Sequence, residues 1–141
     1  MKLELEGVNW LAVLAAGAAT FFLGAIWYQA LFGRLWKELH GYSSEQLKAL
    51  QAKRPPALFF GGMIAAYLLL AGVMAVFAVA LGLHGWRDGA VFGGLLWLGP
   101  ALVIGFTAWL ASDKHIGILA IDAAYQLVFL VMMGVILGGW K

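Results

Sequence analysis

The sequence lacks cysteine and carries little charge: none of its 141 residues is Cys, and only 11% are Asp, Glu, Lys or Arg. The absence of Cys excludes disulfides, thiolate metal sites and a cysteine nucleophile. Soluble domains average about 25% charged and about 45–50% apolar residues, whereas this chain is 64% hydrophobic. The composition therefore excludes a water-soluble fold, and a net charge of +2 is too small to indicate nucleic acid binding.

The residue patterns of enzyme active sites are also missing from the sequence. No His and Glu residues have the spacing of metal ligands, no Ser is paired with a base, and no Gly-rich phosphate loop precedes a helix. The three histidines, His40, His84 and His115, are dispersed. We therefore expect no enzymatic activity, no cofactor and no metal site.

What the sequence has in abundance is long apolar runs. Four of them exceed about 18 residues, the length at which an apolar segment is a candidate for a membrane-spanning helix. We predict spans over Val8–Phe32, Ala57–Leu83, Ala90–Ala111 and Ile116–Gly139. Because only short connections remain, the prediction is an all-α polytopic membrane protein, a single domain of residues 1–141 that forms a four-helix up-down bundle.

The connection between the first two spans predicts helices outside the bilayer. Residues 34–40 are amphipathic and are expected to lie along the inner interface. Ser43 and Gln46 have the spacing of a capping box, which predicts a short helix from about Ser44 to Lys53. Pro55 ends it. The basic residues of this helix face either anionic headgroups or solvent, and the sequence leaves both open.

Lysine and arginine near the span ends predict the orientation. The 33–56 loop and the turn after the third span carry six of them, and the other side carries three. The positive-inside rule then places the 33–56 loop in the cytoplasm and both termini outside. Five tryptophans agree with these boundaries as interfacial anchors: Trp10, Trp86 and Trp140 outside, and Trp36 and Trp109 inside.

A polar cluster lies inside the fourth apolar run. Asp122, Tyr125 and Gln126 are spaced i, i+3 and i+4, which puts them on one face of a helix. A carboxylate at membrane depth costs roughly 2.5–3.5 kcal/mol, so Asp122 must face protein or trapped water, or be protonated. Depth along the alternating spans places further polar side chains beside it. The candidate inner layer comprises Asp122, Tyr125, Gln126, Tyr28, Gln29, Tyr67 and Thr107.

Two interpretations of this layer stay open. In the first, Asp122 is a hydrogen-bonding residue that fixes helix register at about 0.6–2 kcal/mol per contact, and the protein has a structural or accessory role. In the second, Asp122 titrates in a cavity open to the cytoplasm and binds a cation or proton. The protein is then a channel or carrier for a small solute, which uses Asp122, Tyr125, Gln126 and Tyr28.

Small residues at four-residue intervals predict close helix packing. The stripes are Ala12, Ala16, Thr20 and Gly24 in span 1, Gly89 and Gly93 in span 3, and Gly134 and Gly138 in span 4. They predict a closed outer half for the hairpin of spans 3 and 4, with a kink at Pro100. Because the stripes exceed the needs of one bundle seam, we also predict a homo-oligomer, most simply a dimer.

Parts of the two hairpins can be aligned with each other. Residues 64–74 match residues 122–132 at six of eleven positions, and Gly24–Trp27 matches Gly94–Trp97 as Gly-x-x-Trp. A true duplication would give two hairpins of the same topology, related by an axis along the membrane normal. Apolar segments also align by chance, so the sequence leaves the duplication open.

Several short motifs carry a family resemblance over nearly the whole chain. They are Asn9-Trp10-Leu11-Ala12, Gly24-Ala-Ile-Trp27-Tyr28-x-x-x-Phe32-Gly33-x-x-Trp36, and Ala124-Tyr125-Gln126 with a terminal Gly-x-x-x-Gly-x-Trp140. These motifs resemble the bacterial four-span proteins grouped as domain of unknown function 1761. The resemblance implies a bacterial inner-membrane location and does not indicate an activity. It also implies that Asn commonly stands at the position of Asp122, which favours hydrogen bonding over proton coupling. The residues that match the family pattern are Asn9, Trp27, Tyr28, Phe32, Trp36 and Tyr125.

Overall fold

The computed structural model describes residues 2–140, and the regular structure within them is helical. Lys141, which enters the orientation count, lies outside the described residues. Four helices are long and apolar enough to cross a membrane: span 1, Trp10–Leu31; span 2, Pro56–Ala80; span 3, Gly85–Leu110; and span 4, Ile116–Gly139. The predicted spans are confirmed with shifted ends. Span 3 begins five residues earlier than predicted, because Arg87 and Asp88 lie in a polar first turn that precedes its apolar run.

Local sequence signals set where the helices begin. The Asn9 side chain accepts hydrogen bonds from the backbone of Leu11 and Ala12, which caps span 1. The interfacial helix, Gly33–His40, is followed by the loop helix, Ser44–Lys53. The predicted capping box of the loop helix is present, with both of its hydrogen bonds between Ser43 and Gln46.

Spans 1 and 3 each contain a π-helical segment. In span 1 this segment is Ile26–Leu31, and in span 3 it is Trp97–Ala101. Pro100 lies within the second segment and has no N–H to donate, so the backbone pairing shifts around it. The segment in span 1 has no proline and was not predicted. Single π-turns are frequent at functional sites, which directs attention to this depth of both spans.

Spans 1, 2 and 4 form the core of the bundle. The side chains of Ala12, Ala16 and Thr20 are fully buried, as is Met133 of span 4. Span 3 packs against span 4, and its other sides are largely exposed. The interfacial helix lies beneath the end of span 4 that adjoins the 33–56 loop, where Leu39 contacts Gly117. We call the end of the bundle at this loop the inner end and the opposite end the outer end. Span 4 is therefore the central helix, with contacts to every other span.

The outer halves of spans 3 and 4 are in backbone contact through four glycines, Gly89, Gly93, Gly134 and Gly138. A Cβ atom added at Gly89 would overlap the Gly134 carbonyl oxygen, and one at Gly93 would overlap the Leu130 carbonyl oxygen. We call this region the glycine contact. The glycines and the small residues of span 1 pack within a single chain, so they no longer argue for a partner chain. The homodimer stays a prediction without that support.

Candidate functional site

The carboxyl group of Asp122 lies between spans rather than against lipid. The Tyr28 hydroxyl donates a hydrogen bond to Asp122 Oδ1 over 2.5 Å, and both side chains are half-buried. Tyr28 belongs to the π-helical segment of span 1. The position of Asp122 agrees with the expectation that a carboxyl at this depth contacts protein or a polar cavity.

Two tryptophans hydrogen-bond to span 4 on either side of Asp122. Trp27 Nε1 donates to the Ile121 carbonyl over 3.2 Å, and Trp97 Nε1 donates to the Ala123 carbonyl over 2.8 Å. Both tryptophans lie in the π-helical segments. These two bonds tie spans 1 and 3 to the backbone that carries the acid, and we refer to them as the tryptophan pair.

The tryptophan pair bears on the possible duplication. In an exact repeat of two hairpins, each tryptophan would contact the second span of its own hairpin. Trp27 would then contact span 2, and Trp97 would contact span 4. Instead, both indole nitrogens donate to span 4, at Ile121 and Ala123. The two hairpins are therefore not equivalent at the depth of Asp122, although their Gly-x-x-Trp motifs occupy similar local structures.

Tyr125 lies in a cluster of packed side chains in the core of the bundle. Its side chain is 3% exposed, and its hydroxyl donates to the Thr20 carbonyl over 2.8 Å. The Tyr67 hydroxyl is 3.1 Å away. A Cβ atom added at Gly24 would lie 2.6 Å from the Tyr125 hydroxyl, so the glycine provides the space for it. This cluster joins spans 1, 2 and 4 in the way expected of hydrogen-bonding residues that fix register.

A cleft of about 210 Å³ separates the inner halves of spans 3 and 4. Asp122 and Gln126 line it deep in the membrane, and Lys114 lines it at the inner surface. The remaining lining residues are Gly105, Ala108, Trp109, Ser112, Ile118, Leu119 and Ala123. Because the glycine contact closes the outer halves of the same two spans, the cleft is confined to their inner halves.

Two polar side chains of the cleft wall keep unpaired groups in the described part of the chain. The Gln126 side-chain amide forms no hydrogen bond with residues 2–140, and Asp122 is bonded there through Oδ1 alone. Gly105 lies opposite, and a Cβ atom added there would be 3.9 Å from Gln126 Oε1. Polar groups at membrane depth require hydrogen-bond partners, so water or a solute in the cleft must supply them.

The interfacial helix covers the tyrosine side of this region. The Trp36 ring is 6.2 Å from the Tyr28 ring and 3.9 Å from the His40 ring. Trp36 Nε1 and His40 Nε2 are buried and have no hydrogen-bond partner among the described residues. Burial lowers the pKa of His40; the positive charge of Lys114 acts in the same direction, and Asp122 opposes it. Neutral His40 is thus the form that suits the docked helix.

The structure brings together five of the seven residues predicted for the inner layer. Tyr28 and Gln126 lie beside the Asp122 carboxyl group, while Tyr67 and Tyr125 form the adjacent cluster. The other two do not join them: the Gln29 side chain is exposed, and the Thr107 hydroxyl bonds to carbonyls of its own helix. Span 3 turns Gly105 and Ala108 toward span 4 instead, because neighbouring positions on a helix face different directions.

Sequence reasoning did not single out Trp97 and Lys114 as residues of the site. Trp97 was noted only in the Gly-x-x-Trp alignment and Lys114 only for its charge. The repeated motif was the signal available for Trp97, since it marks the same depth in spans 1 and 3. For Lys114, the sequence offered its position two residues before the start of the helix that carries Asp122.

Comparisons with known proteins give one result that bears on identity. No curated protein matches the chain, and no solved structure does. A family model described as "Protein of unknown function (DUF1761)" matches residues 11–138, which include nearly all of the four spans. Its four apolar helices make this chain a multi-pass membrane protein, and the matched family model shows that it belongs to the DUF1761 family.

Proposed function

We propose that this protein binds a small solute with an ammonium group, in the cleft between spans 3 and 4, from the cytoplasmic side of the membrane. The observation that carries the proposal is the wall of the cleft, where the Asp122 carboxyl and the unpartnered Gln126 amide face a space of about 210 Å³. A carboxylate and an amide oxygen are hydrogen-bond acceptors suited to an ammonium donor.

The shape of the cleft favours a binding protein or carrier over an open channel. The glycine contact brings the backbones of spans 3 and 4 together in the outer half. The cleft is thus closed toward the outer end, which is the state expected of a carrier that faces the cytoplasm. Release to the other side would require the outer halves to separate.

The location of the protein is part of the same proposal. We place it in the inner membrane of a bacterium, with the 33–56 loop in the cytoplasm and both termini outside. The Lys and Arg count supports this orientation. The exposed Trp10 and Trp86 at the opposite end of the bundle suit an outer interface.

A structural or accessory role is the second candidate, and the Tyr125 cluster favours it. Tyr125, Tyr67 and the Thr20 carbonyl connect three spans by direct hydrogen bonds. Under this proposal the protein acts as a scaffold in a homodimer. Light scattering on the protein eluting from gel filtration in detergent should then show a dimer, and a monomer at every detergent ratio would contradict it.

Calorimetric titration of the purified full-length protein separates the two candidates. Propylamine should bind the protein, and Asp122→Asn should weaken this binding about tenfold or more, since an interaction of 1.4 kcal/mol or greater is lost. Glu45→Gln, an exposed acid of the loop helix, is the matched control. No propylamine binding, or equal binding by Asp122→Asn, would overturn the solute-binding proposal and leave the accessory role.

A further inference from the structure

We propose that the natural solute is amphoteric: a linear molecule with an ammonium group that reaches Asp122 and an anionic group that stays at Lys114. This inference rests on the proposed function and assigns the second half of the ligand. It follows from the order of charges along one cavity, with an acid at the deep end and a lysine at the mouth.

The two charged residues are separated along the cleft. Asp122 lies six residues beyond Ile116, the first residue of span 4, which corresponds to a rise of about 9 Å at about 1.5 Å per residue, and Lys114 lies two residues before that helix. A lysine side chain extends over roughly half of that distance, and a bound molecule has to cover the remainder. A solute with its two charges several bonds apart fits this spacing better than a compact one.

Lys114 has a fixed backbone and a free charge. Its carbonyl accepts a hydrogen bond from Trp109 Nε1 over 3.0 Å, and its backbone N–H donates to Ser112 Oγ over 3.3 Å. Within residues 2–140, the ion pair present is Arg34 with Glu38, so the Lys114 ammonium group has no acidic partner there. A lysine that lines a cavity and lacks a carboxylate is available to an anionic group of a ligand.

The charge order also discriminates among ligands. A simple cation passes the positive Lys114 before it reaches Asp122, and a simple anion is repelled from the deep end. A molecule that carries both charges pairs its ammonium group with Asp122 and its anionic group with Lys114. Trp109 supplies an aromatic wall beside the mouth for the intervening methylene groups.

A zwitterionic lipid headgroup shares the same two charges but presents them in the opposite order. In the inner leaflet its phosphate lies nearer the acyl chains and its amine nearer the cytoplasm. In the cleft the acid lies deeper than the lysine. The order of charges thus favours a water-soluble ω-amino acid over a phospholipid.

Calorimetric titration with matched ligands tests the inference. The probes are glycine, β-alanine, γ-aminobutyrate and ε-aminocaproate, with propylamine and butyrate as molecules of single charge. We expect γ-aminobutyrate or ε-aminocaproate to bind about tenfold or more tightly than propylamine. Lys114→Gln should remove this advantage and leave propylamine binding equal or tighter. Lys48→Gln, an exposed lysine of the loop helix, should change neither.

Each result bears on one proposal or the other. If propylamine binds through Asp122 but no ω-amino acid binds more tightly, the amphoteric ligand is wrong and the solute-binding function stands. The same conclusion follows if Lys114→Gln weakens both ligands equally. If a short-chain phosphatidylethanolamine binds more tightly than every ω-amino acid, and Lys114→Gln abolishes that difference, the headgroup replaces the soluble ligand. If none of the probes binds, the proposed function itself fails.

Discussion

Trp27 and Trp97 lie on different spans and donate hydrogen bonds to the same helix, at carbonyls two residues apart. The bonded carbonyls belong to Ile121 and Ala123, the residues before and after Asp122. The backbone that carries the acid is therefore bonded to both span 1 and span 3. The carboxyl group then receives its own hydrogen bond from Tyr28. The arrangement fixes the rotation and height of span 4 where its polar face meets the cleft.

Removing either bond of the tryptophan pair should destabilise the protein and weaken the site. Trp27→Phe and Trp97→Phe keep an aromatic ring but lose the N–H, at an expected cost of about 0.5–1.5 kcal/mol in the free energy of unfolding. Propylamine affinity should fall several-fold because Asp122 is less well positioned. Trp86→Phe, at an exposed interfacial position, serves as the control in thermal unfolding and calorimetry. Equal effects of Trp97→Phe and Trp86→Phe would contradict a positioning role.

The bond between Tyr28 and Asp122 should appear as an energetic coupling. We expect Tyr28→Phe and Asp122→Ala to be non-additive by about 0.6–2 kcal/mol in the free energy of unfolding. The comparison pair is Tyr28→Phe with Thr107→Val, because the Thr107 hydroxyl bonds only within its own helix. That pair should be additive. Additivity in both pairs, measured by reversible unfolding in detergent, would show that the hydroxyl and the carboxyl do not interact in solution.

The glycine contact predicts a position-dependent effect of adding one methyl group. Gly89→Ala places a Cβ atom on the Gly134 carbonyl oxygen, so the two spans must separate, at an expected cost of about 1–3 kcal/mol. Gly94→Ala, five residues along the same span, meets open space. It should leave the melting temperature unchanged or slightly raised, since alanine favours helix over glycine. If Gly89→Ala and Gly94→Ala lowered the melting temperature equally, close backbone contact at Gly89 would be contradicted.

Docking of the interfacial helix should weaken as the pH falls. The pKa of His40 is lowered from 6.5 by burial and by Lys114, so the docked helix binds a proton less readily than the released one. The contribution of neutral His40 to docking is complete above pH 6.5, the ordinary pKa of histidine. It decreases as the pH falls from there toward the lowered pKa of His40. Hydrogen exchange of residues 33–40 should therefore be faster at about pH 5.5 than at about pH 7.5, after correction for intrinsic rates.

Two variants control that measurement. His40→Phe removes the titrating group and should make exchange of the interfacial helix independent of pH over this range. His84→Phe, at the opposite end of the bundle, should keep the dependence of the natural protein. A pH-dependent His40→Phe variant would assign the effect to another group near the helix.

The parts of the fold that could be predicted from the sequence depend on local chemistry. The spans follow from the length of the apolar runs, and the loop helix begins at Ser43 because a capping box needs only residues three apart. The position of Asp122 was predictable because its desolvation cost excludes the lipid face.

The remainder depends on helix rotation, which the sequence did not determine. Thr107 and Gln29 were placed at the correct depth but face away from the cluster, and the π-helical segments change the phase of spans 1 and 3 near that depth. The tryptophan pair was missed for a related reason. Its acceptors are backbone carbonyls, which every residue has, so no side-chain pattern on span 4 indicates them.

Span 3 is attached along one side only, and its closest attachment lies at its outer end. At mid-depth Trp97 holds it, and at its inner end the short turn to span 4 holds it, so only the segment between these points forms one wall of the cleft. The lateral pressure of the surrounding acyl chains acts on the lipid side of that segment directly. Lipid composition and membrane tension should therefore alter how wide the cleft stands, even with no molecule bound in it.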